Sequence, residues 1–498
     1  MPGEETICKG KKKEKRSSKK SEERSGKKSE KRSRRGWTLR LNCIVVSVCL
    51  LFLSGCDVVR EETAVEGPVT ITIWTKDRHD LDFQQKKIKE FNQAHEGEIN
   101  VKYKVYSGNY TQAVSSAIGN GTAPDIFSYN GEIYDRFVAQ KEFVNLLPYM
   151  DDSKMEAFSE AMVEGINVSQ GKCYYLPTGI SAVRLIYNKD LLKKAGIDAP
   201  PQTLEELIED ARTVAAQFGD QGVYGFALNL KEAQSALNRS FMKEAMIETG
   251  LKSGYDFSRG VYDFAAYADL VEKWRVLLSA ECSYPYCEDL GIDPLREMFS
   301  EGRIAMYFTY GYSETGIYQS QFPMEQEWGA APVPICRDTE AVGSASYTLN
   351  GGFLISSQSL HVEEAMTVYW ELLANKKNLA EHYERGLSVS IFSDIVENAK
   401  KNGCCISEIS ERNQREHLWP DTPKERFPEN MNVVGSSWAD TLKSLLLSDV
   451  DAEPVLEELS SRYNRAYQEM IKNGLCSEIK IAGFDPASPE LILDYTKK

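Results

Sequence analysis

From Val69 onward the sequence alternates period-two apolar segments with amphipathic helical ones, which restricts the chain to an α/β architecture of largely parallel sheets flanked by helices. Val69 to Trp74 sets β-branched residues at every second position and ends on an aromatic, as a strand does. Phe83 to His95 carries Phe83, Ile88 and Phe91 at helical spacing, and Ile99, Val101, Tyr103 and Val105 alternate as a second strand. A helix from Tyr110 to Ile118, a short strand Asp125–Phe127 and a helix Ile133–Gln140 follow. Later strands are expected at Ser181–Tyr187, Val223–Leu228, Ile304–Phe308 and Phe353–Ile355, with a mostly helical stretch from Ala233 to Ser300. Thr203-Leu204-Glu205-Glu206 forms a capping box that predicts a helix to about Gln217. Val362–Leu373 and Pro454–Ile471 read as amphipathic helices. In open sheets of this kind ligands sit beyond the carboxyl ends of the strands, which singles out the loops Thr75–Asp80 and Ser128–Glu132.

The segment before Val69 has a different character. Residues 1–40 hold 16 Lys or Arg against 6 Glu, although the whole chain of 498 residues is at −15, so the body is strongly acidic. An acidic body argues against nucleic-acid binding, which needs basic faces to neutralise phosphate. After Arg40 an uncharged apolar run ends at Leu53-Ser54-Gly55-Cys56. The run is shorter than the ~20 residues of a spanning helix and suits the core of a signal peptide. The small residues ahead of Cys56 resemble a lipobox, which implies that this cysteine is lipidated and becomes the mature N-terminus. Residues 1–55 are then a leader and 56–68 a loose tether.

Eleven cysteines do not make a disulfide scaffold here, because three precede Cys56 and the seven after it are irregularly spaced. Cys282 and Cys287 could close a small loop in an exported chain. No second pair follows them at zinc-ligand spacing. The five histidines are scattered, no nucleophile elbow, phosphate-cradling loop or His-Glu-x-x-His occurs, and Asp449 and Asp451 lack the Gly and Glu of a calcium loop. No catalytic residue, metal or cofactor is therefore expected.

Several segments together carry a family likeness. Gly121-Thr122-Ala123-Pro124-Asp125-Ile126-Phe127 steps into a strand, and Leu176-Pro177-Thr178-Gly179 leads towards Leu185-Ile186-Tyr187-Asn188-Lys189-Asp190. Pro200-Pro201-Gln202-Thr203 opens the capped helix, Met298 to Met306 surrounds Gly302, and Gly351-Gly352-Phe353-Leu354-Ile355 follows. In that order and spacing they resemble the maltose-binding-type extracellular solute-binding proteins, the sugar-binding components of ABC importers. The resemblance implies a two-lobed periplasmic-binding-protein type II fold with a ligand cleft between the lobes and closure by hinge motion. It implies an N-terminal lobe over residues 69–180 with a return segment 303–349, and a C-terminal lobe over 181–302 and 350–498. Crossings are expected near Gly179–Ser181, Tyr310–Glu314 and Asn350. A monomer that hands a mono- or oligosaccharide to ABC permease subunits is the function it implies.

Sugar sites combine aromatic faces with planar polar groups. Tyr129 and Asn130 follow a strand directly and are expected in the cleft. Ser181, Tyr310, Tyr312 and Asn350 lie at the expected crossings, and Asn229 ends a second-lobe strand. Trp74 is read either as a ligand contact or as a capping core aromatic. Trp274 and Trp370 are expected in the core, while Trp328 and Trp438 are open between core and cleft. Two other functions fit the same text: a secreted carbohydrate-active enzyme, and a lipoprotein presenting ligand to a membrane sensor kinase.

Overall fold

The computed structural model describes residues 67–164, 166–336, 341–402 and 409–489. The chain divides into two units, Met1–Val65 and Glu66–Lys498, and the described residues all belong to the second. The expected leader, Cys56, and the pair Cys404 and Cys405 lie outside the described residues.

The first lobe starts with β1 (Val69–Thr75), α1 (Leu81–Ala94), β2 (Ile99–Val105), α2 (Tyr110–Gly119), β3 (Ile126–Ser128) and α3 (Gly131–Phe137). Strand β1 pairs in parallel with β2 and β3, and its Ile71 and Ile73 are fully buried. The Pro-Asp step before β3 is a structural clasp. Asp125 Oδ2 accepts from Thr72 N at 2.9 Å and Thr72 Oγ1 at 2.8 Å, and Oδ1 accepts from Ser359 Oγ at 2.6 Å.

The chain leaves this lobe through β4 (Gly179–Ser181) and enters β5 (Val183–Asn188), α4 (Leu204–Phe218), β6 (Tyr224–Phe226) and α5 (Phe241–Thr249). The capping box forms as expected, with Thr203 Oγ1 accepting from Glu206 N at 3.2 Å and Glu206 Oε2 from Thr203 N at 3.2 Å. The stretch expected to be mostly helical also holds a hairpin, Tyr255–Asp256 with Val261–Tyr262. There follow β7 (Ile304–Tyr310), α6 (Gly311–Gly316) and β8 (Trp328–Ala331). The second sheet runs β8-β5-β7-β6. Only β7 and β6 are parallel in it, because β5 pairs antiparallel with both β7 and β8. The sheet of the second lobe is thus less parallel than expected.

Next come β9 (Thr348–Asn350), β10 (Phe353–Ile355), α7 (Val362–Val368), α8 (Lys376–Glu384) and β11 (Val389–Ser390). Strand β10 pairs with β3, and Ala365, Met366 and Tyr369 pack in the same core as Ile71 and Ile73. The described chain resumes at Ile409 in the second-lobe core, where α9 (Trp438–Leu446) and α10 (Ala452–Lys472) complete it. Strands β9, β4 and β11 form a small antiparallel hinge sheet around Ile180, Ala182, Tyr347 and Val389.

Two expected segment assignments are corrected by these pairings. Residues 303–349 do not return to the first lobe: β7 inserts between β5 and β6, and β8 flanks β5. Tyr310–Glu314 is accordingly no crossing, since α6 stays on the second lobe through the Arg296–Glu314 pair and Ile317 in its core. Residues 350–498 do not form one second-lobe segment either. The chain crosses back at β9, and 353–399 supplies first-lobe core.

The cysteine loop is also corrected. Cys173, Cys282, Cys287, Cys336 and Cys476 are all free thiols. Cys282 Sγ points to Ile208 O at 3.7 Å, whereas Cys287 Sγ donates to Tyr284 O at 3.1 Å and accepts from Leu228 N. Trp274 is core as expected, with its Nε1 donating to Glu244 Oε2 at 2.6 Å. Burial pushes the Glu244 carboxyl up to about 8, with Glu248 and Glu205 adding to the rise and the Trp274 hydrogen bond opposing it. A carboxyl raised in the fold contributes stability in full below its unfolded value and loses it as pH climbs towards 8. Glu244→Gln is expected to flatten that loss, gaining on the order of 1–3 kcal/mol at pH 8 and nothing at pH 4. Thermal melts across that range check it, and an equal effect at both pH values would refute it.

Candidate functional site

A cleft of about 1200 Å³ lies between the lobes and against the hinge sheet. The β1–α1 loop contributes Lys76, Asp77, His79 and Asp80, as the crevice rule places it. The end of β3 brings Tyr129, Asn130 and Gly131, and the hinge strands bring Ser181 and Asn350. From the second lobe come Asn238, Lys243, Tyr310, Tyr312 and Trp419.

Aromatic rings dominate two walls. Tyr129 stacks on Tyr175 with centroids 4.0 Å apart and planes 17° apart. Burial pushes the Tyr129 hydroxyl up to about 12, so it stays a neutral donor at any working pH. On the opposite lobe Tyr310 and Tyr312 lie 6.3 Å apart at 28°, the Arg239 guanidinium sits 5.9 Å from the Tyr310 ring, and Tyr312 meets the edge of His79 at 5.0 Å. At the floor, Asn350 Nδ2 donates to Ser181 Oγ at 2.7 Å. Gly179 is required there, since a Cβ would lie 2.9 Å from both Asn350 Oδ1 and the Val389 carbonyl. Asn130 lines the cleft, but its Oδ1 caps α3 by accepting from Ile133 N at 3.1 Å.

Charge is distributed over both lobes. Lys243 is buried, donates to Ser346 Oγ, and is pulled down to about 8 by burial, with Lys252 adding to the shift and Glu425 and Glu416 opposing it. Asp135 faces the cleft from the first lobe, and burial together with the charge of Asp421 from the second pushes it up to about 6. Asp80 is buried beside two histidines. Its burial opposes ionisation, but His79 and the hydrogen bond from His382 outweigh that and hold its carboxyl well below the usual range. The lobes also touch at the mouth, where Arg78 Nη2 pairs with Asp293 at 3.0 Å and Gln321 Nε2 donates to the Arg78 carbonyl at 3.2 Å.

Six of the eight expected binding residues, Tyr129, Asn130, Ser181, Tyr310, Tyr312 and Asn350, come together in this cleft; Trp74 and Asn229 do not. Trp74 lies on the face of β1 opposite Ile71 and Ile73, against Tyr106 at 5.1 Å and under the Lys104 ammonium at 4.8 Å. Asn229 is buried, and its side-chain amide has no hydrogen-bond partner among the described residues. Trp328 packs on Tyr318 and Trp438 is buried in α9, so neither reaches the cleft. Sequence reasoning missed Tyr175, Tyr347 and Trp419. Tyr175 stands just before Leu176-Pro177, close enough to β4 to be found; Trp419 sits in text without periodic pattern.

Two α/β lobes joined by a three-stranded sheet enclose a cleft lined by aromatic and amide groups, an arrangement suited to a small ligand. A sequence model described as bacterial extracellular solute-binding protein matches residues 79–368, more than half of the chain, and the chain belongs to that family. A binding protein of Brucella abortus is 26% identical over 285 residues, 57% of this chain and 66% of that one, so the chain spans just under two thirds of this relative. The maltodextrin-binding protein of Bacillus subtilis is 23% identical over 366 residues, 68% of this chain and 78% of that one. Among solved structures, a solute-binding protein of an ABC transporter from Thermotoga lettingae, bound with α-D-tagatose, matches in fold with a TM-score of 0.63 at 18% identity, covering 80% of this chain and 99% of that one.

Proposed function

We propose that this chain is a lipid-anchored, extracytoplasmic receptor that captures a mono- or oligosaccharide and delivers it to an ABC import permease. The observation that carries the reading is the composition of the cleft. Stacked tyrosines on both lobes offer flat apolar faces for a pyranose, while Ser181, Asn350, Asn238 and Asp77 supply groups for its hydroxyls. Solutes of the relatives, maltodextrin and tagatose, are carbohydrates. Tyr129, Asn130, Ser181, Tyr310, Tyr312 and Asn350 are the binding residues of this reading, Cys56 its lipidation site, and binding without turnover its chemistry.

A thermal-shift screen against mono- and oligosaccharides tests it. A cognate sugar at 100 times its Kd should stabilise the protein by about 2.7 kcal/mol. Tyr129→Ala and Tyr312→Ala should each weaken binding by at least tenfold while the protein still folds and melts cooperatively in the absence of sugar. If polyamines, phosphate esters or peptides shift the melt and no sugar does, the carbohydrate assignment fails. Release of product from a bound oligosaccharide would favour the enzyme reading instead.

A further inference from the structure

Asp80 is the N-cap residue of α1, where an aspartate ordinarily turns its carboxylate onto the helix N–H groups. Here it makes no such cap. The carboxylate points instead at two imidazoles brought from far apart in sequence. Oδ2 lies 3.2 Å from His382 Nε2 at the end of α8, and Gln84 Nε2 donates to the same oxygen at 2.8 Å. Oδ1 is buried and has no hydrogen-bond partner among the described residues, on a side chain that is more than nine-tenths buried. His79 stands on the other side, its Nε2 3.2 Å from the Leu387 carbonyl. One ligand atom each from His79, Asp80 and His382 lies within 4.8 Å of the others.

We propose that His79, Asp80 and His382 form a binding site for a divalent transition-metal ion in the wall of the cleft. Two imidazoles and one carboxylate are a donor set suited to Zn²⁺ and its neighbours rather than to Ca²⁺ or Mg²⁺, which take oxygen ligands. With Zn–N and Zn–O distances of about 2.0–2.2 Å, ligand atoms around a tetrahedral ion lie about 3.3 Å apart. His382 Nε2 already lies 3.2 Å from the Asp80 carboxylate, near that separation, and the His79 ligand atom lies within 4.8 Å of both. The ion would give the orphaned Oδ1 a partner and account for an N-cap residue turned away from its helix. All three residues line the cleft, so an ion held there would lie in the wall of the space where a solute sits. This site stands on geometry independent of the carbohydrate reading.

The test is calorimetric titration of the EDTA-treated full chain with Zn²⁺, and with Co²⁺ followed by visible absorption. One equivalent is expected to bind, with affinity falling as pH drops, because every ligand must be deprotonated to coordinate. Asp80→Asn and His382→Gln should each weaken binding at least tenfold, and His79→Gln provides a third variant should one of these fail to fold. Co²⁺ should give d–d bands of nitrogen and oxygen ligation. A second cluster, Glu244, Glu248 and Cys336, is the competing acceptor among the described residues. Binding that survives the histidine and aspartate variants, is lost in Cys336→Ala, or shows a thiolate-to-cobalt band overturns the proposal. So does a wild-type chain that takes up no Zn²⁺.

Discussion

Replacing Glu416 by alanine is expected to cost about 3–5 kcal/mol of stability, the penalty of leaving a buried guanidinium without its counter-charge. Arg184 sits on β5 in the middle of the second-lobe sheet, 1% exposed, and Glu416 is 5% exposed. Arg184 Nη1 donates to Glu416 Oε1 and to the Val183 carbonyl, the latter at 2.8 Å. Arg184 Nη2 donates to Glu416 Oε2 at 3.2 Å and to the Glu411 carbonyl at 2.6 Å. The bidentate pair therefore ties the segment that resumes at Ile409 to the sheet. Arg184 also packs against Gly311, between the cleft residues Tyr310 and Tyr312, where a Cβ would lie 2.8 Å from Arg184 Cγ. Denaturant unfolding of Glu416→Ala measures the cost. The double variant Arg184→Met with Glu416→Leu should recover most of it, since replacing both charges by apolar groups removes the stranded cation. A single variant within 1 kcal/mol of wild type would show that the pair is solvated and does not anchor the sheet.

The elements most visible in the sequence are those whose residues answer to local rules. The alternation of Val69–Trp74 and the capping box at Thr203 fix a strand and a helix start from neighbouring residues alone. The same alternation already held the answer for Trp74. With Ile71 and Ile73 turned inwards, a residue at the next even position faces the other side of the sheet, and its nearness to the strand end did not outweigh that. Lobe membership was not legible. Ile304–Phe308 and Phe353–Ile355 are apolar runs buried on both faces, and such a run reads the same whichever sheet receives it. The pairing partner, hundreds of residues away for Phe353, decides the lobe. The cleft was half legible for a related reason. Residues at strand ends and hinge crossings follow from topology, whereas Trp419 and the histidine–aspartate cluster come together only through tertiary folding.

Gly316→Ala is expected to weaken solute binding by at least tenfold while leaving the unliganded protein as stable as wild type or slightly more so. Gly316 closes α6 with φ −69 and ψ −33, ordinary helical values that alanine adopts without strain and with better helix propensity. Its need for glycine lies across the cleft. A Cβ there would come within 1.8 Å of the His79 carbonyl oxygen and 3.3 Å of Leu387 Cδ2, both on the first lobe, while α6 belongs to the second. The added methyl group therefore does nothing to either lobe alone and obstructs only their approach. In a receptor that closes on its ligand, the apparent affinity scales with the population of the closed form. A loss of about 1.4 kcal/mol in closure is a tenfold loss in affinity. Titration calorimetry with the sugar found by the thermal-shift screen measures the affinity, and small-angle scattering with and without that sugar measures closure. The variant should retain a larger radius of gyration than wild type at matched ligand saturation. Equal affinity and equal closure would mean that the contact between Gly316 and His79 yields without cost, and that the hinge sheet rather than this helix limits the closed state.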